Sequence, residues 1–155
     1  MRVLAIDYGK KRTGLAVTDM MRITANPLCT LETKDLQQWL TTELAKGEID
    51  EVVIGKPTQT NGEESESMKY ITPFMNWFRN HFATIPLIPY DERFTSVLAH
   101  KAMIDGGMKR KQRQDKAVVD RLAACIILED YLSSKLKIFK QLKTAVINIG
   151  SDDAD

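Results

Sequence analysis

The chain is short of most features that would place it quickly. It has two cysteines, Cys29 and Cys125, in apolar surroundings and without CxxC spacing, so neither a disulfide framework nor a zinc ribbon is expected; the natural reading is two inert thiols in a reducing, cytoplasmic setting. No apolar run approaches the roughly 20 residues needed to cross a bilayer. The first residues reach a carboxylate at Asp7 too soon for a secretory signal. The formal net charge is only +1, so bulk charge argues for neither nucleic acid nor membrane, and any electrostatic information must sit in local clusters. Histidine is scarce as well. His81 and His100 fall on predicted helices without ligand-spaced partners, and the tryptophans Trp39 and Trp77 have helical core spacing rather than that of a base-stacking platform.

What is present fits one ordinary globular domain. At 155 residues, 43% hydrophobic and 28% charged, the chain is long enough to bury a sizeable core. Residues 2–7 read as a buried strand. Gly9 and Gly14 bracket a basic turn, Lys10-Lys11-Arg12, that leads into a second strand at Leu15-Ala16-Val17. A third run, 23–31, is interrupted by Pro27 and should be an edge or bulged strand. The period then becomes helical: Leu36, Trp39, Leu40 and Leu44 follow Thr33 and Asp35, either of which can cap the helix. Residues 51–55 form a buried strand that stops at Lys56-Pro57. Met68, Ile71, Met75, Phe78 and Phe82 mark a long amphipathic helix, which Pro73 should kink unless the helix restarts there. A strand over 85–90, a helix from Thr95 or Ser96 to Met103, and a strong helix over 118–132 complete the order β-β-β-α-β-α-β-α-α. This predicts an α/β fold in which an antiparallel meander joins parallel strands in one mixed sheet, with helices on both faces. The domain is expected to span 1–135. Residues 136–155, a basic-apolar stretch with an acidic end, read as a tail, either a docked strand or a disordered appendage.

Certain acids stand where a carboxylate has no evident structural role. Asp7 ends a hydrophobic strand, Asp91 and Glu92 end another, and Asp120 lies in an apolar helix on the face of Ala123, Ala124 and Ile127. Burying a carboxylate is costly unless it is paired, hydrogen-bonded or metal-bound. Acids from two strand ends and a crossing helix can converge, and hard oxygen donors with few imidazoles suit Mg²⁺ or Mn²⁺. Two such ions about 4 Å apart can activate water for phosphodiester cleavage. Taken singly, each acid is as readily a helix cap or a salt-bridge partner. Neighbouring strand residues face opposite ways, so only one of Asp91 and Glu92 can join Asp7; Glu92 is the choice.

Four segments in order, 7–17 (DYGKKRTGLAV), 53–57 (VIGKP), 91–96 (DERFTS) and 119–124 (VDRLAA), resemble the YqgF family, described both as Holliday-junction-resolvase-like and as pre-16S rRNA nucleases. The resemblance covers residues 2–133. It implies an RNase H-like fold, a cytoplasmic protein, and a role at the 5′ end of the 16S rRNA precursor. By motif, the catalytic and metal-binding acids are Asp7, Glu92 and Asp120. Lys10 stands where the family commonly has Thr. Asn61 replaces the last acid of the family's glycine-rich loop. Ala123 occupies the place of a fourth acid found in junction resolvases of the same fold.

Lys109, Arg110, Lys111, Arg113 and Lys116 cluster just before the helix that carries Asp120, and phosphate contacts by such residues supply sequence-independent affinity for nucleic acid. Lys10, Lys11 and Arg12 beside Asp7, and Arg93 beside Glu92, can either hold phosphates or neutralise the acids. The expected partner is nucleic acid, RNA before branched DNA, with the ribosome or its precursors as a further candidate, and the chain is expected to be a monomer or weak dimer. Two competing classes stand beside the nuclease. One is an actin-like ATPase, suggested by the Asp-x-Gly turn but needing two domains; the other is a non-catalytic RNA-binding module that retains the fold.

Overall fold

In the computed structural model, residues 1–57, 66–91 and 116–152 are described. A five-stranded sheet has the order β3-β2-β1-β4-β5, built from β1 (Arg2–Tyr8), β2 (Arg12–Thr18), β3 (Ala25–Glu32), β4 (Ile49–Lys56) and β5 (Leu87–Asp91). β1, β2 and β3 pair antiparallel, while β4 and β5 run parallel to β1. The mixed sheet is therefore the one the sequence pattern predicts. β3 lies at the edge, and its register slips opposite Leu15 and Ala16, leaving Leu28 as the extra residue of a bulge next to Pro27. Proline has no N–H for a central ladder, so both features belong together.

The central strands are apolar on both sides because both sides are covered. Leu4, Ile6, Leu15, Val52 and Ile54 point into a large core with α1 (Leu36–Leu44) and α2 (Met68–His81). Val3, Ala5, Ala16 and Val53 point the other way, into a smaller core with α3 (Lys116–Asp152). The two faces differ in side-chain size. Leu, Ile and Phe residues fill the first, while Ala5, Ala16, Ala123 and Ala124 let α3 lie close against the second.

Local differences from the sequence expectation have local causes. Neither Thr33 nor Asp35 caps α1: Thr33 to Asp35 form a 3-10 turn, and no side-chain cap bond is made at Asp35. The Thr33 hydroxyl instead donates to the Gly9 carbonyl at 2.6 Å and accepts from the buried Thr13 hydroxyl at 2.9 Å, stitching the β1–β2 turn to the start of α1. The helix α2 runs through Pro73, which removes one bond to the preceding turn. The stretch expected as a tail continues α3 as helix to Asp152 rather than docking as a strand. The helix expected over 95–103 and the loop 58–62 lie outside the described residues.

A polar cluster pins the middle of α3 to the sheet. Glu51, just before the apolar run Val52-Val53-Ile54 of β4, is buried at 6% exposure and faces α3. Its carboxylate accepts from the Tyr131 hydroxyl at 2.5 Å and the Lys135 ammonium at 2.7 Å, and from Arg22 at 3.2 Å. Burial pushes the Glu51 carboxyl up, but the bonds from Lys135 and Tyr131 and the nearby cations outweigh it and hold the group below its ordinary value near 4.5. Burial and the bond to Glu51 raise Tyr131 to about 12. A carboxyl lowered on folding stabilises the fold above its ordinary value, and that contribution is lost as pH falls through the lowered value. Glu51→Gln is therefore expected to lower stability at neutral pH by about 1–3 kcal/mol and to flatten the acid side of the stability–pH curve, as read by denaturant melts. An unchanged acid limb would refute this anchor.

Candidate active site

The site is built where β1, β2 and the start of α3 meet. Asp7 follows Val3 and Ala5 in alternation along β1, so it belongs to the face that α3 covers. Its neighbour across the ladder is Gly14. A Cβ placed on Gly14 would lie 2.0 Å from the backbone carbonyl oxygen of Asp120 and 2.3 Å from its carbonyl carbon. No side chain fits there, so the helix backbone rests directly on the strand at the residue paired with Asp7. This contact brings the Asp7 and Asp120 segments together from opposite ends of the sequence. The sequence signal for it is a glycine inside a strand, which marks close approach of another backbone.

Arg12 opens β2 and points to the same place. Its Nε donates to the Asp120 carboxylate at 3.2 Å, with both side chains partly exposed. Of the two roles open to Arg12, neutralising an acid is the one the structure displays. The turn that presents it is tight: a Cβ on Gly9 would meet the Arg12 carbonyl oxygen at 2.3 Å. The Thr33 hydroxyl and the bond from the Thr33 N–H to the Lys11 carbonyl, at 2.9 Å, hold that turn from below. The sequence reading takes Gly14 as one end of the basic turn and Thr33 as a helix cap, and so misses the close approach at the first and the clamp made by the second.

The remaining candidates separate. Lys10 leans toward α2, with its ammonium 5.2 Å from the Tyr70 ring centre, over a cleft of about 320 Å³ that Ser67 and Lys69 also line. Lys11 is exposed in the turn. Asp91 shares the alternation of Leu87, the α1–α2 side, and so does not face Asp7 and Asp120. Lys116 begins α3, and its side chain is not described. Glu92, Arg93, Lys109, Arg110, Lys111 and Arg113, with Asn61, lie outside the described residues. Ala123 is buried in the small core, so no carboxylate stands one turn after Asp120. Among the described residues no three acids, histidines or cysteines come together as a metal site, and two of the expected trio are what the described site contains. His81 stacks on Trp77 and bonds the Trp77 carbonyl, a structural role.

Because the Gly14 contact is backbone on backbone, its neighbour cannot give way. Gly14→Ala is expected to destabilise the fold by about 1–3 kcal/mol or more and to displace Asp120. Gly47→Ala makes no such clash, although its positive φ carries a local cost. Urea midpoints of the two variants, with near-ultraviolet spectra, check this; a Gly14→Ala protein as stable as wild type would overturn the close-contact account.

The family model described as "RuvX: Holliday junction resolvase" matches residues 1–134. A relative from Phocaeicola vulgatus, named "Putative pre-16S rRNA nuclease", is 52% identical over 134 residues, covering 86% of this chain and 96% of its own. A relative of the same name from Flavobacterium johnsoniae is 48% identical over 134 residues, covering 86% and 97%. Among solved structures, the Fowlpox virus resolvase in complex with Holliday junction DNA aligns with TM-score 0.53 at 18% identity, covering 88% of this chain and 99% of that one. T. thermophilus RuvC in complex with a Holliday junction substrate aligns with TM-score 0.53 at 17% identity, covering 87% and 96%. These two likenesses establish the RNase H-like fold. With a family match over residues 1–134 and relatives close to half identical, the chain belongs to the RuvX family of nucleases, the YqgF family of the sequence motifs.

Proposed function

We propose that the chain is a divalent-metal-dependent endonuclease acting on RNA, with the 5′ end of the 16S rRNA precursor as its target in the cytoplasm. The observation that carries the reading is the seating of the Asp120 backbone on Gly14, the partner of Asp7, which joins two carboxylate-bearing segments on one side of the sheet. The names of the relatives point to the rRNA precursor.

Asp7, Glu92 and Asp120 would hold Mg²⁺ or Mn²⁺; the oxygen-only donor set suits these ions. When bound, such an ion lowers the pKa of water and offsets charge on the phosphate. The chain's own groups do the rest. Arg12 restrains the Asp120 carboxylate through its Nε bond, and the threonine clamp fixes the turn that carries Arg12. Lys11, Arg93 and the basic run Lys109, Arg110, Lys111, Arg113 and Lys116 would draw in the phosphodiester backbone without reading sequence. Hydrolysis replaces the phosphorus–oxygen bond to the leaving group with one to water oxygen, and the leaving oxygen takes up a proton.

A second reading, cleavage of branched DNA, is favoured by the family description and shares every residue named above. The deciding assay offers a precursor RNA with its 5′ extension, and in parallel a four-way DNA junction, with Mg²⁺ or Mn²⁺. Asp7→Asn and Asp120→Asn should each slow cleavage at least about a hundredfold, since even outer partners of metal ligands cost 10–100-fold. RNA binding should survive and weaken steeply with salt. Cleavage of the junction alone would move the protein to the second reading. Binding of RNA with cleavage of neither substrate would make it a non-catalytic RNA-binding module.

A further inference from the structure

Two arginines of this chain spend their donors in opposite ways. A guanidinium carries five N–H groups in a rigid planar fork, enough to serve more than one acceptor at once. Arg22 uses the whole fork on the protein. Its Nε donates to the Met1 carbonyl at 3.1 Å, one terminal nitrogen to Glu51 at 3.2 Å, and the other to Asp50. That arginine ties the β2–β3 connection to β4 and has no nitrogen left over. Arg12 is different. The one bond from its side chain to a described residue runs from Nε to a single oxygen of Asp120, at 3.2 Å. Among the described residues its two terminal nitrogens have no partner.

This is not for want of a nearer acid. The residue opposite Arg12 on the β2–β3 ladder is Glu32, whose carboxylate is held by Lys34 at 3.0 Å. Arg12 instead meets an acid 108 positions away in the sequence. Its place in the strand also matters. Arg12 alternates with Gly14 and Ala16, and Ala16 belongs to the α3 face, so Arg12 shares the face of Asp7 and Asp120. Gly14 is the partner of Asp7, which sets Arg12 two residues closer to the β1–β2 turn than either acid's point of contact. A strand of nucleic acid that reaches the acids from the turn side meets the guanidinium first. The fork is 39% exposed, and the turn beneath it is fixed by the two bonds from Thr33.

We propose that Arg12 is a phosphate-holding residue: Nε retains Asp120 while the two terminal nitrogens grip oxygens of a phosphodiester beside the two acids. Paired donors of this kind match the spacing of phosphate oxygens. The inference takes the ligand, a phosphodiester of RNA or of DNA, from the nuclease reading, but it needs neither the metal nor cleavage.

Binding of the full-length protein to a single-stranded RNA and to a four-way DNA junction, in EDTA and over a range of salt, tests it. The slope of log affinity against log salt counts the phosphates that the protein neutralises, at about 0.7 each for a single strand and about 0.9 for a duplex. Arg12→Gln should lower the slope by the value for one phosphate, and Arg12→Lys, which keeps the charge, should restore it. Lys46→Gln removes the same charge from an exposed residue paired with Glu43, just before the start of β4 and away from the site, and should leave the slope unchanged. The Arg12–Asp120 pair is partly open to water, so both Arg12 variants should keep the wild-type melting temperature. A wild-type slope in Arg12→Gln would overturn the proposal and leave Arg12 to Asp120 alone. An equal drop in Lys46→Gln, a slope that lysine does not restore, or binding to neither nucleic acid would overturn it too. A protein that shows the Arg12-dependent slope but cleaves nothing keeps this inference and loses the nuclease reading; one that cleaves with an unchanged slope does the reverse.

Discussion

At Gly14 the backbone of α3, at Asp120, rests directly on β2. Much of the architecture follows from allowing that contact. A helix can come so near a sheet only if the intervening side chains are small, and Ala5, Ala16, Ala123 and Ala124 make them so. The bulky residues of the same strands must then serve the other face, where α1 and α2 supply the larger core. The inequality of the two cores is thus the condition for placing a helical carboxylate over a strand end. Close packing makes such an arrangement sensitive to one added methyl group.

Two of the ionic contacts that α3 makes differ in kind. Near the site, Arg12 and Asp120 meet while partly open to water, where an ion pair adds about 0–1 kcal/mol and stays available for exchange. Farther along the same helix, Glu51 is enclosed by Tyr131, Lys135 and Arg22, so each of its oxygens has a donor. Removing both cations there would leave a buried charge uncompensated, which costs far more than the pairs contribute. The enclosed cluster fastens the middle of α3 to the sheet, whereas the open pair stays in contact with water.

Some of this is legible in the sequence, and the rest is hidden for identifiable reasons. Strands β1, β2 and β4 are apolar at consecutive positions, which only a sheet covered on both sides explains, and Pro27 marks β3 as an edge. Asp7 and Asp120 are visible as acids in apolar company, and alternation along β5 sets Asp91 on the face away from them. Thr33 reads as a cap because its position suits one, but its hydroxyl is taken by Gly9 and Thr13, contacts that exist only once the meander has formed. Glu51 gives no local sign of its role, since its partners Tyr131 and Lys135 lie some eighty residues away on α3. The helix beyond 135 is obscured by β-branched residues and lysines whose local pattern also suits a strand or a loose end. The four motifs carry the family, and the family comparison bears that out.

From Lys116 to Asp152 α3 is one uninterrupted rod of 37 residues, about 55 Å at 1.5 Å per residue, with neither glycine nor proline before Gly150. Such a rod has no hinge. Whatever grips its free end therefore sets the heading of the carboxylate end as well, as a handle aims the tool fixed to it. Lengthening the rod by a single residue would turn its outer end by about 100° relative to the end that carries Asp120 while advancing it only about 1.5 Å. Insertions and deletions in this helix consequently change the relative bearing of its two ends far more than their separation, whereas substitutions on its exposed surface change neither.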